Sequence, residues 1–443
     1  MSVKYRKDSI YKSYYLDLVH QLCKIFTLIS GILVAQTWLG LGSGYCQEGD
    51  LLAFRDSIDL IVQEGLDSMA YPGAQVLISL RGEIVLEKAY GFHTYDSTIA
   101  VSTDDLYDLA SVTKVSSGLP ILMQLIDQGL IDLDQTLGEV YPSFKKSNKS
   151  DLSLREILAH QSGMIPYLVY WQNTIKKNGE FKKRTFREEA RKKFNIRVSD
   201  SLHMHRRYSR KMKKLIRKSP IDSEKDSRYS GLFFQLLPEI IESQTGRKFQ
   251  DVLYEDIFEP LGIKTLTYNP AAELSPQKII PTEYDSLFRK QLVHGWVHDE
   301  AAAMMGGVSC NAGLFGNARG LYQLFQMYTN GGIFHGTRLI EESTLLEFTS
   351  HQYCHNENRR GLGFDKPLLE YDAEMSYVAK DASPYSFGHS GFTGTFVWAD
   401  PAYDLIVIFL SNRVHPTRNN RKLYSMNIRP RIHQLAYNML ITD

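Results

Sequence analysis

The first part of the chain alternates between a helical and a strand-like pattern of apolar positions. Apolar residues recur at helical spacing between residues 51 and 69, which predicts an amphipathic helix. The runs 75–80 and 83–90 are rich in β-branched residues, and only Arg81 and Gly82 separate them. A turn this short predicts an antiparallel hairpin after the helix.

The end of the chain repeats this arrangement in reverse order. The runs 394–398 and 405–410 have strand character and flank Asp400-Pro401, and residues 422–440 follow with a helical pattern. We therefore predict an antiparallel sheet assembled from both ends of the chain and flanked by an N-terminal and a C-terminal helix.

The middle of the chain is predicted to be helical. Four apolar periodic segments each end close to a glycine, which is typical of helix termination; they are 119–128, 154–160, 232–245 and 321–328. The predicted fold class is mixed α/β (α+β), with an all-helical subdomain over about residues 120–300 inserted between the two sheet-forming ends. Residues 50–443 are predicted to form one domain.

The charge of the chain is unevenly distributed. The formal net charge is +1, but residues 176–218 contain 18 Lys or Arg and 4 Asp or Glu. This basic insertion is predicted to be a solvated helical segment over the cleft, and contact with an acidic membrane or cell-wall polymer is the alternative. Nucleic acid is not an expected partner, because the N-terminus indicates export.

The N-terminal segment has the layout of an export signal. Lys4, Arg6, Lys7 and Lys12 precede an uncharged apolar run from Ile25 to about Leu41, which ends in small residues. The run is almost long enough to span a bilayer, so an uncleaved anchor is the alternative. Residues 1–45 are therefore predicted to be an export signal or N-terminal anchor, and the protein is expected to be periplasmic or membrane-associated.

One serine and one lysine are spaced for nucleophilic catalysis. Ser111 and Lys114 stand three residues apart in YDLASVTK, so a helix would place both side chains on one face. The amine could then remove the hydroxyl proton. The same spacing also suits an N-cap serine with a surface lysine, and it recurs at Ser9, Ser143 and Ser275. Spacing alone leaves both interpretations open.

Two further segments follow in order: Arg228-Tyr229-Ser230-Gly231, and FGHSGFTG at residues 387–394. With SVTK, the motifs YSG and HSG resemble the three conserved elements of the β-lactamase and penicillin-binding-protein superfamily, and most closely its class C branch with DD-peptidases and carboxylesterases. The segments LREILAHQSGM, GGVSCNAGLFG and RRGLGFDKP extend this resemblance over most of residues 50–443. It implies a β-lactamase/transpeptidase-like fold.

The resemblance also implies roles for individual residues. Ser111 would attack a carbonyl and form an acyl-enzyme, Lys114 in its neutral form would take the proton, and Tyr229 would relay it to the leaving group. Backbone N–H groups of Ser111 and Phe392 would form an oxyanion hole. Contacts to the substrate or to its oxyanion are implied for Phe392, His389, Gly391, Ser390 and Gly231.

Two positions depart from the family pattern. Gly231 replaces an asparagine, which weakens the case for β-lactam hydrolysis. His389 stands where many members have lysine, so we expect a group that is only partly charged near neutral pH. Recognition of a substrate carboxylate is then expected to be weaker.

The predicted function is an exported serine hydrolase that acts through an acyl-enzyme on amide or ester carbonyls, such as cell-wall peptides, β-lactams or esters. The alternative is a non-catalytic or slow-turnover penicillin-binding module. No cofactor or metal is expected, because His351 and His355 lack a second ligand cluster. Cys310 and Cys354 could pair, but two small thiols are at least as compatible with the sequence.

Overall fold

The computed structural model describes residues 48–441. Its strands are β1 (Gly73–Leu80), β2 (Glu83–Gly91), β3 (Tyr107–Asp108), β4 (Phe186–Arg187), β5 (Ile196–Ser199), β6 (Leu202–Met204), β7 (Thr267–Tyr268), β8 (Tyr284–Asp285), β9 (Gln291–Leu292), β10 (Leu314–Gly316), β11 (Ile333–Phe334), β12 (Thr337–Arg338), β13 (Phe387–Ser390), β14 (Phe396–Asp400) and β15 (Leu405–Ser411).

The α-helices are α1 (Glu48–Asp67), α2 (Leu119–Asp127), α3 (Leu137–Val140), α4 (Leu154–Leu158), α5 (Arg207–Lys218), α6 (Leu237–Thr245), α7 (Phe249–Leu253), α8 (Glu300–Met304), α9 (Ala318–Thr329), α10 (Glu342–Thr349), α11 (Lys422–Ser425) and α12 (Ile428–Ile441). Short 3₁₀ and π turns connect several of them.

The main sheet has five strands in the order β13-β14-β15-β1-β2. Every pair in it is antiparallel, and β1 pairs with β15 from Ala74 opposite Ser411 to Leu80 opposite Leu405. The two predicted hairpins are therefore confirmed, and the strand pairing joins the two ends of the chain as expected.

Alternate residues of the central strands enter two separate hydrophobic cores, because successive side chains in a strand point to opposite faces. Val76 and Phe409 pack with residues of α1 and α12 on one face. Leu77 and Ile408 face the larger core, which contains α2, α9 and most of the middle region. With apolar residues on both faces, β1 and β15 are buried along their whole length.

The middle region contains more strand than predicted. Within the basic insertion, β4, β5 and β6 form a three-stranded antiparallel sheet, and only α5 is helical. Phe186, Val198, Leu202 and Met204 are buried in this sheet. They are interspersed with lysines and arginines in the sequence, which conceals the period-two pattern. The expectation of an all-helical insertion is therefore wrong in this detail.

Cys310 is buried, Cys354 is exposed and both are free, so the disulfide alternative is wrong. No group of three potential metal ligands occurs among residues 48–441. Within that range no helix is long and apolar enough to span a bilayer. The predicted export signal lies outside the described residues.

Candidate active site

The serine of the SVTK motif lies in a tight turn between a strand and a helix. Residues Ala110–Val112 form a single 3₁₀ turn, Lys114–Gly118 form a π turn, and α2 follows directly. Ala110 has a φ of +46°, in the left-handed region that is unfavourable for a residue with a side chain. Such local strain persists only where the surroundings enforce it, and it is often found at functional sites.

A buried carboxylate holds this turn. Asp108 accepts hydrogen bonds from the backbone N–H of Ala110 (2.8 Å) and of His298 (2.6 Å). Burial raises the pKa of the Asp108 carboxyl, and the two N–H donors counteract this effect. The left-handed conformation of Ala110 is thus fixed by a contact to a distant segment.

Lys114 lies directly beside the Ser111 hydroxyl. Its Nζ donates to Ser111 Oγ at 2.9 Å and to the carbonyl oxygen of Asn311 at 3.0 Å. The side chain is buried and has no carboxylate partner within 4 Å in the described part of the chain. Since Ser111 caps no helix and Lys114 is not at the surface, the interpretation as a capping serine with a solvated lysine is wrong.

The turn between β13 and β14 is tied to the serine turn. Thr393 Oγ1 donates to Asp108 O at 2.7 Å, and Thr395 Oγ1 donates to Leu109 O at 3.0 Å. Gly391 lies at the closest approach, where an added Cβ would be 2.0 Å from Thr395 Oγ1 and 2.5 Å from Leu109 O. Only glycine fits here without displacing one of the two segments.

Tyr229 is held by ring contacts and cations. Its ring centroid lies 4.6 Å from that of His160 and 6.0 Å from that of His389, and Lys114 Nζ is 5.0 Å from the ring centre. Its hydroxyl is buried and has no hydrogen-bond partner among the described residues. The hydroxyl therefore has no fixed partner in the described structure. The helix predicted over residues 232–245 begins only at Leu237 in the structure. Tyr229 therefore lies several residues before α6 and not at its start.

The expectation that His389 is partly charged is wrong. His389 is buried against Tyr229, and burial, with the nearby Lys114 charge, lowers its pKa well below the usual range. Its Nδ1 is 2.8 Å from the carbonyl oxygen of Ser390, and its Nε2 has no partner among the described residues. His389 is thus neutral near pH 7.

A cleft of about 550 Å³ opens over these groups. Ser111, Lys114 and Tyr229 all line it, and so do Gly231 and Phe392. His389, Ser390 and Gly391 stand behind the lining instead of in it. The remaining wall is largely apolar and aromatic, with three charged groups at one side; it includes Pro166, Tyr167, Leu168, Trp171, Leu287, Met304, Asp299, Glu300 and Arg418.

Three residues of the site were not singled out from the sequence. His160 packs on Tyr229, the carbonyl of Asn311 accepts from Lys114, and Arg360 lies with its guanidinium carbon 5.1 Å from the centre of the Tyr229 ring. Each lies within one of the segments LREILAHQSGM, GGVSCNAGLFG and RRGLGFDKP. The family resemblance covers all three segments, but it assigns no role to these individual residues.

Comparison with known proteins agrees with this geometry. The profile of the Beta-lactamase family matches residues 58–427, which is most of the chain. The chain belongs to the Beta-lactamase family. Membership makes it a serine hydrolase of the β-lactamase-related type, as the sequence motifs indicated.

Among curated relatives, a protein of Salmonella enteritidis described as "Putative D-alanyl-D-alanine carboxypeptidase" is 29% identical over 394 residues, covering 83% of this chain and 84% of its own. Among solved structures, a class C beta lactamase superposes with a TM-score of 0.61 at 14% identity, covering 90% of this chain and 100% of that one. A family VIII carboxylesterase superposes with a TM-score of 0.60 at 18% identity, covering 88% and 97%. These likenesses confirm the predicted fold.

Proposed function

We propose that the protein is an exported serine hydrolase that cleaves amide or ester carbonyls through an acyl-enzyme on Ser111, with cell-wall peptides as its natural substrate class. The observation that carries this proposal is the 2.9 Å contact between Lys114 Nζ and Ser111 Oγ inside an apolar cleft. The relative described as "Putative D-alanyl-D-alanine carboxypeptidase" supports the substrate class.

The proposed reaction has two halves. With Lys114 neutral, its Nζ takes the Ser111 proton while Oγ attacks the carbonyl carbon. The N–H groups of Ser111 and Phe392 bind the oxyanion, and Tyr229 passes the proton to the departing alcohol or amine. Water then attacks the ester on Ser111, and the same groups return the proton to Oγ as the acid leaves.

Turnover of a nitrophenyl ester tests this function. We expect Ser111→Ala to lower kcat/KM by at least about 1,000-fold, because the nucleophile is lost. Ser143→Ala is the matched control, since Ser143 and Lys146 share the spacing but lie exposed at the surface. Equal activity of both variants would contradict the assignment.

A slow-turnover penicillin-binding module is the second candidate function. It is favoured by Gly231, which contributes no side chain to the cleft. Mass spectrometry after incubation with penicillin separates the two: an adduct on Ser111 that persists, together with no ester turnover, supports the binding module. Rapid ester turnover supports the hydrolase.

We also propose that the exported protein associates with an anionic membrane through the basic face of α5. Tyr208, Met212 and Ile216 bury one side of this helix, while Arg207, Arg210, Lys211, Lys214 and Lys218 are exposed on the other. None of these five exposed cations forms an ion pair within the described residues. Each exposed Lys or Arg near an anionic surface contributes about 1 kcal/mol to binding.

Sedimentation with vesicles tests this association. We expect the protein with Arg207, Lys211, Lys214 and Lys218 all changed to Gln to lose binding to vesicles that contain phosphatidylglycerol. The same four-charge change at Lys145, Lys146, Lys264 and Lys278, which are exposed elsewhere, serves as the control and should retain binding. Equal loss in both variants would attribute binding to net charge instead of to α5.

A further inference from the structure

One charged group close to the reacting residues has no part in the mechanism described so far. Arg360 is largely buried, with 17% of its side chain exposed, and its guanidinium carbon lies 5.1 Å from the centre of the Tyr229 ring. Burial lowers the pKa of Arg360 to about 10, which still leaves it charged at neutral pH. A cation at this distance from a tyrosine face is attracted to the ring.

The other groups that face Tyr229 differ in charge. Lys114 lies over the ring at 5.0 Å, and the His160 and His389 rings pack at 4.6 and 6.0 Å. Burial lowers the pKa of both histidines well below the usual range, so both are neutral. Lys114 and Arg360 are therefore the two basic side chains that contact the Tyr229 ring in the described part of the protein, and Arg360 is the one that stays charged while Lys114 acts as the base.

Arg360 is itself fixed by a buried carboxylate. It forms an ion pair with Asp365, which also accepts a hydrogen bond from the Tyr377 hydroxyl and lies 3.7 Å from Arg359. The backbone of Asp365 exchanges two hydrogen bonds with Gly388, of 2.9 and 3.0 Å, and so attaches the cluster to β13. The position of the guanidinium is thus set by the same strand that carries His389.

We propose that Arg360 is a positioning residue of the hydrolase site, which holds the Tyr229 ring at the cleft and supplies positive charge over its face while the proton is relayed. This inference rests on the proposed function. The hydroxyl of Tyr229 has no hydrogen bond of its own in the described structure. Contacts to the ring must therefore fix the direction in which the hydroxyl points. The Arg360 guanidinium is the charged contact that Asp365 holds in place, whether or not Lys114 carries a proton.

The pH profile of ester turnover tests the proposal. Positive charge favours the deprotonated form of groups that must accept a proton, so its removal moves the acidic limb of kcat/KM to higher pH. For Arg360→Met we expect a shift of about one pH unit and a loss of at least about tenfold in kcat at pH 7. Arg360→Lys keeps the charge and should leave the limb in place.

Arg359→Met is the matched control. Arg359 also lies near Asp365, but its guanidinium faces the ring of Tyr377, at 5.2 Å, instead of Tyr229. Its removal should move the limb much less than Arg360→Met does, because Arg359 does not contact the Tyr229 ring. Asp365→Asn should move the limb to lower pH, because it removes the negative charge next to Arg360; this variant decides the question if Arg360→Met does not fold.

The outcomes separate the inference from the proposed function. If the wild type shows no turnover that depends on Ser111, the proposed function fails and the inference fails with it. If the wild type is active, but the limb is the same in Arg360→Met, Arg359→Met and Asp365→Asn, the role of Arg360 alone is refuted.

Discussion

Two glycines of the site carry opposite structural constraints. An added Cβ at Gly391 would be 2.0 Å from Thr395 Oγ1, whereas at Gly231 the nearest atom would be Asn311 Cβ at 3.7 Å. We expect Gly391→Ala to push the β13–β14 turn away from Ser111 and to lower kcat/KM by about 100-fold or more, since loss of one oxyanion donor alone costs this much. Ester kinetics at saturating and limiting substrate measure the effect.

Gly231→Ala serves as the comparison for that experiment. It adds the same methyl group to a glycine that lines the cleft, where the nearest atom lies at ordinary van der Waals distance, so activity within about threefold of wild type is expected. If the two variants lose activity equally, the close approach of Gly391 to the serine turn is not what holds the β13–β14 turn beside Ser111.

At the residue scale, the residues that could be predicted from the sequence are those that belong to a recognisable catalytic motif. Ser111, Lys114 and Tyr229 were predicted, and the structure brings all three to one cleft. Arg360 could not be predicted, because nothing in a sequence distinguishes an arginine over a buried ring from one in solvent. The neutrality of His389 also depends on burial that only the folded chain provides.

Helix α4 positions a neighbour of Tyr229 through its own cap. Ser153 Oγ accepts from the N–H of Glu156 at 3.1 Å, and the Glu156 carboxylate accepts from the N–H of Ser153 at 3.1 Å. Two residues after α4 ends, His160 adopts a φ of +57° and packs on Tyr229. We expect Ser153→Ala to lower the free energy of unfolding by about 1 kcal/mol.

Denaturant unfolding of purified variants measures this cost. Ser57→Ala is the control, because the Ser57 hydroxyl only bonds back to the Ala53 carbonyl within α1, at 2.8 Å, and caps nothing. That variant should match or slightly exceed wild-type stability. A Ser153→Ala protein as stable as Ser57→Ala would show that the capping box contributes nothing to α4.

At the element scale, prediction succeeded where one pattern repeats over a long segment. Strands β1 and β15 are continuous, largely apolar runs of eight and seven residues, and helix α1 extends over 20 residues with apolar positions at helical spacing. The short strands β4, β5 and β6 were not predicted, for the opposite reason. Each has only two to four residues and lies among lysines and arginines, so it contains too few apolar positions to reveal a period.

The active site forms where distant parts of the molecule meet. Ser111 follows the first hairpin, Tyr229 and Asn311 come from the middle region, and the β13–β14 turn belongs to the C-terminal part of the chain. Hydrogen bonds from Thr393 and Thr395 to the serine turn join the last of these to the first. The site therefore depends on the packing of the whole sheet against α12, where a buried histidine makes stability sensitive to pH.

That histidine is His433, in α12. It is completely buried and burial lowers its pKa to about 3, while its Nδ1 accepts from the N–H of Ala379 at 3.2 Å. In the unfolded chain this imidazole binds a proton below about pH 6.5, whereas in the folded chain it binds one only when the pH falls to about 3. The resulting stability is complete above pH 6.5 and is lost as the pH falls, with a loss of roughly 2 kcal/mol at pH 5.

Replacing His433 with Asn should therefore change the pH dependence of unfolding. Asn keeps an acceptor for the Ala379 N–H but does not titrate, so the variant should lose roughly 2 kcal/mol less stability than wild type between pH 7 and pH 5. Urea unfolding at both values measures the difference. His335 is exposed, and His335→Asn should leave the slope unchanged. A parallel pH dependence in wild type and His433→Asn would mean that the folded chain accommodates the protonated imidazole, and that α12 is less tightly packed than its burial indicates.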